Sequence, residues 1–561
     1  MTPVPPTSAA SAAASAMSAA SAGRPAYALS PAPGPLAYGA LSESLCAPPI
    51  ASFGPARLLA GLGEVPRLGY VAHVAVHGPL PAPRPDALLE LAELTGLRGR
   101  GGGAFPFARK LRAVQRAARR QGTGTAVVVN GSESEPVSLK DRTLLLRAPH
   151  LVLDGALLAA EALGAGEVCV GVTRQDTEES VRAALAEREA AGPLTRVVRL
   201  PDRFVTGESS ALVNGLGQAP ALPSGRGVRV SENGLGGLPT LLSNTETFAQ
   251  LAVAARLGAR AYRDTGLPGE PGTVLLTLTG RGVLETPTGV PLGYLLRLCG
   301  IPLGQGVLVG GYHGSWLTPE AVRSACVSRA SLEALGATLG AGAVLPLRED
   351  TCPVGETARV ARWLAGESAG QCGPCVLGLP ALADALTSLA EGGTGGSGAL
   401  EAVRERAYGV SGRGACTHPD GVSRFVASAM AAFADDFALH ARTGASARGR
   451  GRGCGRPVLG ALPVPEEATG RPVAAPPPAA PGPVPGAPVT LVAARPRAAR
   501  LIVNWTLCRG HGLCAGIVPD LVELGPDGYP TRAAARVPAH LRRQARRAVR
   551  RCPALALRLE S

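Results

Sequence analysis

The stretch GLRGRGGGAFPFARK, residues 96–110, combines closely spaced glycines with Lys110, one of only two lysines in the chain. Glycine lets a backbone approach a ligand closely, and the N–H groups of such a turn form a concave anion site. A lysine beside that turn would supply a compact counter-charge for a phosphate, which the planar fork of arginine matches less well. The stretch therefore predicts a phosphate-binding turn, with an ordinary glycine turn as the alternative.

A second stretch, VVVNGSESEPVSLKDR at 127–142, contains the other lysine, Lys140. The apolar run 126–129 predicts a short buried strand that ends at Asn130, with polar side chains gathered just beyond it. The remaining 54 of the 56 Lys and Arg residues are arginine, so a surviving lysine is expected to do something that arginine cannot. The alternative is that Glu135, Lys140 and Asp141 form a surface charge cluster.

Together the two stretches resemble the FMN-binding flavoprotein subunit of complex I and its relatives in NAD-linked hydrogenases and formate dehydrogenases. The family reads close to GLRGRGGAGFPTGLK and CNADEGEPGTFKDR, and FVTGESSAL at 204–212 and PTLLSNTETF at 239–248 extend the resemblance from about Leu58 to about Phe433. It implies that Glu133 and Glu135 lie at the flavin and nicotinamide face as catalytic residues. The implied FMN contacts are Gly99, Arg100, Gly101, Gly102, Gly103, Lys110, Asn130, Phe204, Gly207, Glu208 and Asn244.

Several positions depart from the family pattern. Ser132 stands where the family has Asp, and Ser209 and Ser243 are also changed. The family's KPPFP stretch, which holds the dinucleotide with a lysine and a phenylalanine, corresponds here to LPSGRG at 222–227. Arg226 could replace the lysine's charge, but no aromatic residue replaces the stacking surface. The sequence therefore predicts an FMN site and leaves NAD(P)H binding open.

Cys372, Cys375 and Cys416 match three of the four thiolates of the family's [4Fe-4S] site. Thiolates are soft anionic donors that suit iron, and a C-x-x-C turn lets two of them reach one cluster. The fourth position is Ala369, so the expected outcomes are a three-iron cluster, substitution by Cys352 or Ser368, or no cluster. A zinc knuckle or uncoordinated thiols is the alternative.

Near the C-terminus, Cys508, His511, Cys514 and Cys552-Pro553 give C-x2-H-x2-C followed by a remote C-P. This spacing resembles a single-cluster bacterial ferredoxin of the kind often partnered with cytochrome P450 enzymes. His511 in the second cysteine's position favours a [3Fe-4S] cluster or a [4Fe-4S] cluster with an imidazole ligand, and structural zinc is the alternative. Cys46, Cys169, Cys299, Cys326 and Cys454 have no ligand-like spacing and are expected to be core or incidental.

The expected fold is a multidomain α/β protein, with the resemblance supplying the domain types. These are a disordered extension at 1–48, a Rossmann-like FMN domain at 49–265, a β-grasp domain at 266–345, a helical iron–sulfur domain at 346–440, a Gly/Pro/Arg-rich linker at 441–497 and an α+β ferredoxin domain at 498–561. Residues 1–48 do not read as a signal peptide, and Met17 is a second candidate start.

The net charge of +14 is spread along the chain without a nucleic-acid motif, which favours an acidic protein partner or coding bias over nucleic acid. No span reads as transmembrane, so a cytoplasmic location is expected.

The modules suggest that NAD(P)H reduces FMN and that electrons then pass through iron–sulfur clusters to the tethered ferredoxin and an unknown acceptor. The alternative is a non-catalytic flavin- or cluster-binding subunit that has lost dinucleotide oxidation.

Overall fold

The computed structural model describes residues 47–81, 85–188, 194–225, 229–392, 396–443, 453–465, 499–505, 508, 510, 512–525, 529–552 and 556–560. The strands in chain order are β1 Ile50–Ser52, β2 Ala126–Gly131, β3 Glu167–Val172, β4 Leu194–Arg199, β5 Thr240–Asn244, β6 Gly266–Leu267, β7 Glu270–Pro271, β8 Thr273–Leu278, β9 Gly282–Pro287, β10 Gly306–Val309, β11 Ser315–Leu317, β12 Ala343–Leu347, β13 Arg500–Val503, β14 Ala534–Arg536 and β15 Leu557–Glu560.

The helices are α1 Tyr70–His77, α2 Pro85–Leu94, α3 Phe107–Gln121, α4 Lys140–Arg147, α5 Pro149–Leu163, α6 Gln175–Ala186, α7 Ser209–Leu216, α8 Thr245–Arg263, α9 Leu292–Leu298, α10 Pro319–Ser324, α11 Arg329–Ala334, α12 Pro353–Gly366, α13 Leu379–Ala390, α14 Gly396–Val410, α15 His418–Ala432, α16 Ala434–Thr443, α17 Leu513–Ile517 and α18 Arg542–Arg551. Short 3-10 turns and a π-helical turn at Pro374–Gly378 connect some of them.

A parallel four-stranded sheet forms the core of the first unit, in the order β4-β3-β2-β5. Strand β2 is buried along its apolar residues because helices cover both faces of the sheet, as is usual for parallel strands. The buried strand predicted from the apolar run 126–129 is confirmed as β2. Near its end, Asn130 pairs with Gly171 of β3 on one side and with Asn244 of β5 on the other. The core is thus of the Rossmann-like α/β type that the sequence predicted.

Three helices begin near this sheet with a side chain accepting hydrogen bonds from their first N–H groups. The Glu133 carboxylate accepts from Asp141 and Arg142 at the start of α4, and Asn244 Oδ1 accepts from Thr247 N at the start of α8. Glu208 caps α7 by accepting from the N–H groups of residues 210 and 211. Such caps satisfy donors that a helix cannot pair internally, so residues predicted as site residues also fix the scaffold.

A second, mixed sheet has six strands in the order β1-β9-β8-β12-β10-β11. Its strands run mostly within the region 266–345 that was predicted as a β-grasp domain, and α9 lies in the same region. The sheet is larger than that region, because β1 pairs in parallel with β9 and β12 extends to Leu347. The first described strand of the chain therefore belongs to the second sheet.

Helices α12 to α16 form a bundle with an apolar core. Residues 453–465, here called the docked segment, pack against this bundle although they lie within the predicted 441–497 linker. The N–H groups of Ala461 and Leu462 donate to Glu356, and the Tyr312 hydroxyl donates to the Pro463 carbonyl. The linker prediction was therefore too long at its beginning, because Leu462 and Ala461 bury apolar side chains in the bundle core.

The C-terminal unit contains an antiparallel sheet in the order β14-β13-β15 with α17 and α18 packed against it. The predicted N-terminal extension and most of the linker lie outside the described residues.

Among the helices that the structure describes, none is by itself long and apolar enough to cross a membrane. The pair α4 and α5 meets that test only jointly, across a bend of 95°, and both helices contribute to the buried core.

Candidate functional site

The glycine-rich loop passes between the start of α8 and the second sheet's loop at 338–342. A Cβ atom on Gly101 would lie 3.3 Å from Asn244 Cβ, and Gly102 has a φ of +94° with Gly340 3.8 Å from its Cβ position. A positive φ of this kind strains any residue with a side chain, so glycine is required at 102. The loop therefore brings bare backbone to the carboxyl end of β5.

A cavity of about 120 Å³ lies beside this loop and is large enough for a phosphate-sized group. Its lining includes Gly99, Arg100, Gly102, Gly103, Lys140, Glu246, Arg329 and Gly340. Arg100 is buried, and its Nε and Nη1 have no hydrogen-bond partner among the described residues. Buried guanidinium N–H groups are costly unless paired, which suits an anionic ligand such as the FMN phosphate.

Arg329 adds a second guanidinium to the cavity wall. Its Nη2 donates to the Gly99 carbonyl at 3.2 Å, and its Nη1 lies 3.7 Å from Glu270. Burial and the neighbouring charge of Arg100 lower the pKa of Arg329 to about 10. Two close cations in a buried wall form an electrostatic site for an anion, and sequence reasoning missed Arg329 because it lies outside the quoted motifs.

Lys140 lies fully buried in a network of carboxylates. Its Nζ is 2.9 Å from Asp141 Oδ1 and 3.2 Å from Glu246 Oε2. Burial alone would lower the pKa of Lys140, but the carboxylates of Asp141, Glu246 and Glu133 raise it. The alternative of a surface charge cluster of Glu135, Lys140 and Asp141 is therefore wrong, because Lys140 and Asp141 are buried and so is the Oε1 atom of Glu135.

Lys110 is held differently. Its Nζ donates to the Leu242 carbonyl of β5 at 2.7 Å, and it is absent from the lining of the cavity beside the glycine-rich loop. Burial lowers the pKa of Lys110. Its predicted role as the phosphate counter-charge stays a prediction, because the cations that line the cavity are Arg100, Lys140 and Arg329.

The two predicted catalytic glutamates have different surroundings. Glu133 Oε1 accepts from Ser138 Oγ at 2.6 Å in addition to capping α4, and burial raises its pKa. Glu135 Oε2 accepts from Tyr312 N at 2.8 Å, whereas its Oε1 is buried without a hydrogen-bond partner among the described residues. Burial raises the pKa of Glu135 to about 8. Glu135 is thus the glutamate with a carboxyl oxygen available to a ligand.

The FVTGE turn connects the parallel sheet to the helical bundle. Asn130 Nδ2 donates to the Gly207 carbonyl at 3.0 Å, which joins the end of β2 to this turn. The Phe204 ring lies 4.6 Å from the His313 ring and 5.5 Å from each of the Trp363 and His418 rings, measured between centroids. The predicted FMN residues Asn130, Phe204, Gly207 and Glu208 are therefore brought together on the side of the sheet that faces the bundle.

Cys372, Cys375 and Cys416 are all buried in the bundle. The Sγ atoms of Cys372 and Cys375 are 3.5 Å apart, and the contact with Cys372 together with burial raises the pKa of Cys375. Burial raises the pKa of Cys416 to about 11, and the negative charge of Glu208 acts in the same direction. Thiols are donors that suit iron, and Glu208 of the FVTGE turn is within electrostatic reach of Cys416.

The two proposed substitutes for Ala369 differ. Ser368 is buried, and its role as a cluster ligand stays a prediction. Cys352 lies in a separate group with His440 and Cys454, with its Sγ 3.3 Å from His440 Nε2. Cys352 is therefore engaged apart from Cys372, Cys375 and Cys416.

In the C-terminal unit, Cys508, Cys514 and Cys552 are half-buried around one apolar core. Burial raises the pKa of Cys514, and the charges of Cys508 and Cys552 act in the same direction. His511 and Pro553 lie outside the described residues. Arg226, the predicted dinucleotide contact, also lies outside the described residues. Two residues earlier in the chain, Ser224 N donates a hydrogen bond to Ser210 Oγ of α7.

Three known protein families match the parts of the chain that contain these sites. The family described as Nuo51 FMN-binding domain matches residues 93–253, the NADH-ubiquinone oxidoreductase-F iron-sulfur binding region matches 356–440, and the 4Fe-4S single cluster domain matches 501–559. Fold, donor sets and family matches together define an iron–sulfur flavoprotein with FMN and iron–sulfur clusters as cofactors and a tethered ferredoxin domain.

Individual proteins with similar sequences show to which family within this class the chain belongs. One of the NADH-quinone oxidoreductase F subunits of Rhizobium meliloti (strain 1021) is 29% identical over 385 residues, covering 64% of this chain and 89% of the relative. The corresponding F subunit of Mycobacterium tuberculosis (strain ATCC 25618 / H37Rv) is 30% identical over 393 residues, covering 64% and 86% respectively. The chain belongs to the family of NADH-quinone oxidoreductase F subunits, whose members form an NADH-oxidising group.

A solved structure is similar over the same part of the chain. The crystal structure of NAD+-reducing [NiFe]-hydrogenase in the H2-reduced state superposes with a TM-score of 0.58 at 28% identity. The similarity covers 64% of this chain and 63% of that chain, so this chain spans less than two thirds of that protein's length.

Proposed function

We propose that the chain oxidises NAD(P)H at an FMN held beside the glycine-rich loop and delivers the electrons to its C-terminal ferredoxin domain. The observation that carries this proposal is the junction of Phe204 and Glu208 with His418 and Cys416, which puts the FVTGE turn against the bundle that holds three thiols. When bound, FMN would accept two electrons from a reduced nicotinamide and release them one at a time.

The residues of the first unit fit the parts of FMN. Arg100 and Arg329 would hold the phosphate, supported by the N–H groups of the loop and by the start of α8. Asn130 and the Gly207 backbone would border the ring system, since they close the turn beyond β2. Glu135 would hold a proton at Oε1, because that atom is buried and its carboxyl has a raised pKa.

Cys375→Ser tests the internal part of this route. We expect the variant to retain NADH oxidation with a dye acceptor, since the dye can take electrons before the bundle, and to lose reduction of the C-terminal cluster. Electron paramagnetic resonance of the NADH-reduced protein measures that cluster directly. Cys299→Ser is the matched control, because Cys299 is a half-buried cysteine beside the apolar core of the second sheet.

The outcomes separate the proposal from its alternative. Equal reduction of the C-terminal cluster in wild type and Cys375→Ser would show that electrons bypass the bundle thiols. Absence of NADH and NADPH oxidation by the wild-type chain with full FMN content would favour a non-catalytic flavin-binding subunit. That second result would also agree with the absence of an aromatic residue at 222–227 that could stack on the dinucleotide.

The acceptor, we infer, is a redox protein with an acidic docking surface. Helix α18 exposes Arg542, Arg543, Arg546 and Arg547 while Ala545 and Ala548 are buried, and it leads directly to Cys552. A basic face beside an electron-transfer centre attracts a negatively charged partner and speeds its encounter. A cytochrome P450 as this partner stays a prediction.

The test uses Arg543→Glu/Arg547→Glu in the full chain, with an acidic and a basic redox protein as alternative acceptors. We expect the double variant to reduce the acidic acceptor about tenfold more slowly at low salt and to lose the salt dependence of that rate. Arg404→Glu/Arg406→Glu on α14 is the matched control, because both arginines are exposed. A rate that does not change in the α18 variant would exclude this surface.

A further inference from the structure

A second group of metal-ligating side chains lies in the helical bundle, apart from the three thiols already described. Cys352 caps the start of α12, His440 lies on α16 and Cys454 belongs to the docked segment. Their candidate ligand atoms all lie within 4.8 Å of one another. Intervals of 88 and 14 residues separate them along the chain, which is why spacing in the sequence did not reveal the group.

The geometry suits a tetrahedral ion. Bonds of about 2.3 Å to sulfur and about 2.0 Å to imidazole nitrogen place S and N ligands about 3.5 Å apart at a tetrahedral metal. The observed separation between Cys352 Sγ and His440 Nε2 is 3.3 Å. His440 Nδ1 lies 3.3 Å from the Leu389 carbonyl, an arrangement that orients the ring with Nε2 toward Cys352 and Cys454.

The approach of the docked segment to His440 depends on glycine. A Cβ atom on Gly453 would lie 2.2 Å from His440 Cε1, so no side chain fits at this position. Glycine thus lets the backbone cross the imidazole closely enough for Cys454 N to donate to Nε2 at 3.2 Å. The thiol of Cys454 arrives at the group because of this close crossing.

The charges also balance around a divalent ion. Two thiolates would neutralise it, and the nearby carboxylate of Asp436 is already paired with Arg456. Thiols lose their proton when they coordinate a metal ion, so both cysteines would bind as thiolates.

We propose that Cys352, His440 and Cys454 bind a zinc ion that fastens the docked segment to the helical bundle. Two thiolates and one imidazole are typical zinc ligands, and water completes the tetrahedron. The docked segment directly precedes the stretch that leads to the ferredoxin domain. The ion therefore fixes the point on the bundle from which that tether starts.

Metal analysis of the full chain, purified without oxygen, tests this proposal. We expect about one zinc per wild-type chain and near-complete loss of zinc in Cys454→Ser, with iron and FMN unchanged. Cys326→Ser is the matched control, because Cys326 is half-buried and lies between Ala325 and Val327 of the separate apolar core of the second sheet, and this variant should keep its zinc. Cys508→Ser should keep it as well, which distinguishes this site from zinc bound in the C-terminal unit.

Cobalt substitution of the wild-type chain gives a readout that does not require a variant to fold. Cobalt bound here should show a thiolate-to-metal charge-transfer band and the visible bands of a tetrahedral ion. Failure of the wild type to retain zinc or to give these bands would overturn the proposal. Equal zinc in wild type and Cys454→Ser, or a Cys352–Cys454 disulfide in the oxygen-free protein, would do the same.

Discussion

The glycine-rich loop at 96–110 and the acidic segment at 127–142 meet at one edge of the parallel sheet but hold their cations in opposite ways. Lys140 of the acidic segment is surrounded by carboxylates within 3.2 Å. Arg100 of the loop is also buried but has two nitrogen atoms without partners among the described residues. A buried charge with complete pairing stabilises the fold, whereas an incompletely paired one is suited to a ligand.

This difference assigns separate roles to two motifs that the sequence suggested were alike. The acidic segment builds the scaffold, since Glu133 caps α4 and Asp141 joins Lys140 to Asn244. The loop lines the cavity with its backbone and with Arg100. The comparison predicts that substitutions in the segment mainly affect stability and that substitutions in the loop mainly affect FMN affinity.

Lys140→Met should give the largest effect. It leaves the buried carboxylates of Asp141 and Glu246 without their cation, and breaking a buried ion pair costs about 3–5 kcal/mol. Denaturant unfolding followed by far-ultraviolet circular dichroism measures the loss. Arg120→Met is the control, since Arg120 is exposed on α3. A loss below about 1 kcal/mol would contradict the scaffold role of the segment.

Arg100→Ala should weaken FMN binding by about tenfold or more, because hydrogen bonds to charged groups contribute about 1.5–3 kcal/mol. The FMN-free protein should keep or gain stability, since a buried guanidinium with unpaired N–H groups is removed. Fluorescence titration gives the affinity and thermal unfolding gives the stability. Arg98→Ala is the matched control in the same loop, because Arg98 is more exposed than Arg100. Unchanged FMN affinity in Arg100→Ala would remove the loop from the phosphate site.

Local patterns predicted the parts of this site that lie close together in the chain. The apolar run before Asn130 identified β2, and the glycines at 99–103 identified a turn in which position 102 has a positive φ. Cysteine spacing identified thiols that the fold brings together at 372 and 375. Each of these features depends on backbone conformation or period within a few residues, which a sequence displays directly.

Long-range contacts account for what the sequence did not predict. The hydrogen bond from Tyr312 N to Glu135 joins residues 177 positions apart, and β1 reaches the second sheet by pairing with β9. The docked segment looked like linker because its Gly and Pro content is typical of one, yet Leu462 is fully buried. Such placements depend on which surfaces meet after folding, and composition within a short window carries little information about them.

Glu135→Gln should remove a pH dependence of stability. The pKa of Glu135 is raised from 4.5 to about 8, so its stabilising contribution is full below about pH 4.5 and is lost as the pH rises toward 8. Glutamine should match the wild type near pH 5 and be the more stable form at pH 8, gaining at most about 1.4 kcal/mol for each pH unit. Thermal unfolding at several pH values measures this gain.

The control for that prediction is Glu320→Gln. Glu320 is fully exposed, and its pKa is lowered by hydrogen bonds that include one from Arg323, so its contribution is complete above its ordinary pKa. The difference between this variant and the wild type should therefore stay constant from pH 6 to pH 8. A similarly flat difference for Glu135→Gln would show that the carboxyl of Glu135 titrates as it does in water.

Lys110→Met should give the smallest effect and decides whether Lys110 or the arginines of the cavity bind the phosphate. The ammonium donates to the Leu242 carbonyl of β5, an edge strand of the sheet, so its loss should cost about 1 kcal/mol of stability. FMN affinity should stay within about twofold of the wild type, because Arg100 and Arg329 line the cavity and Lys110 does not. A drop in FMN affinity of about tenfold with unchanged stability would instead place the phosphate at Lys110, and the glycine-rich loop would then bind its anion with lysine as the sequence first suggested.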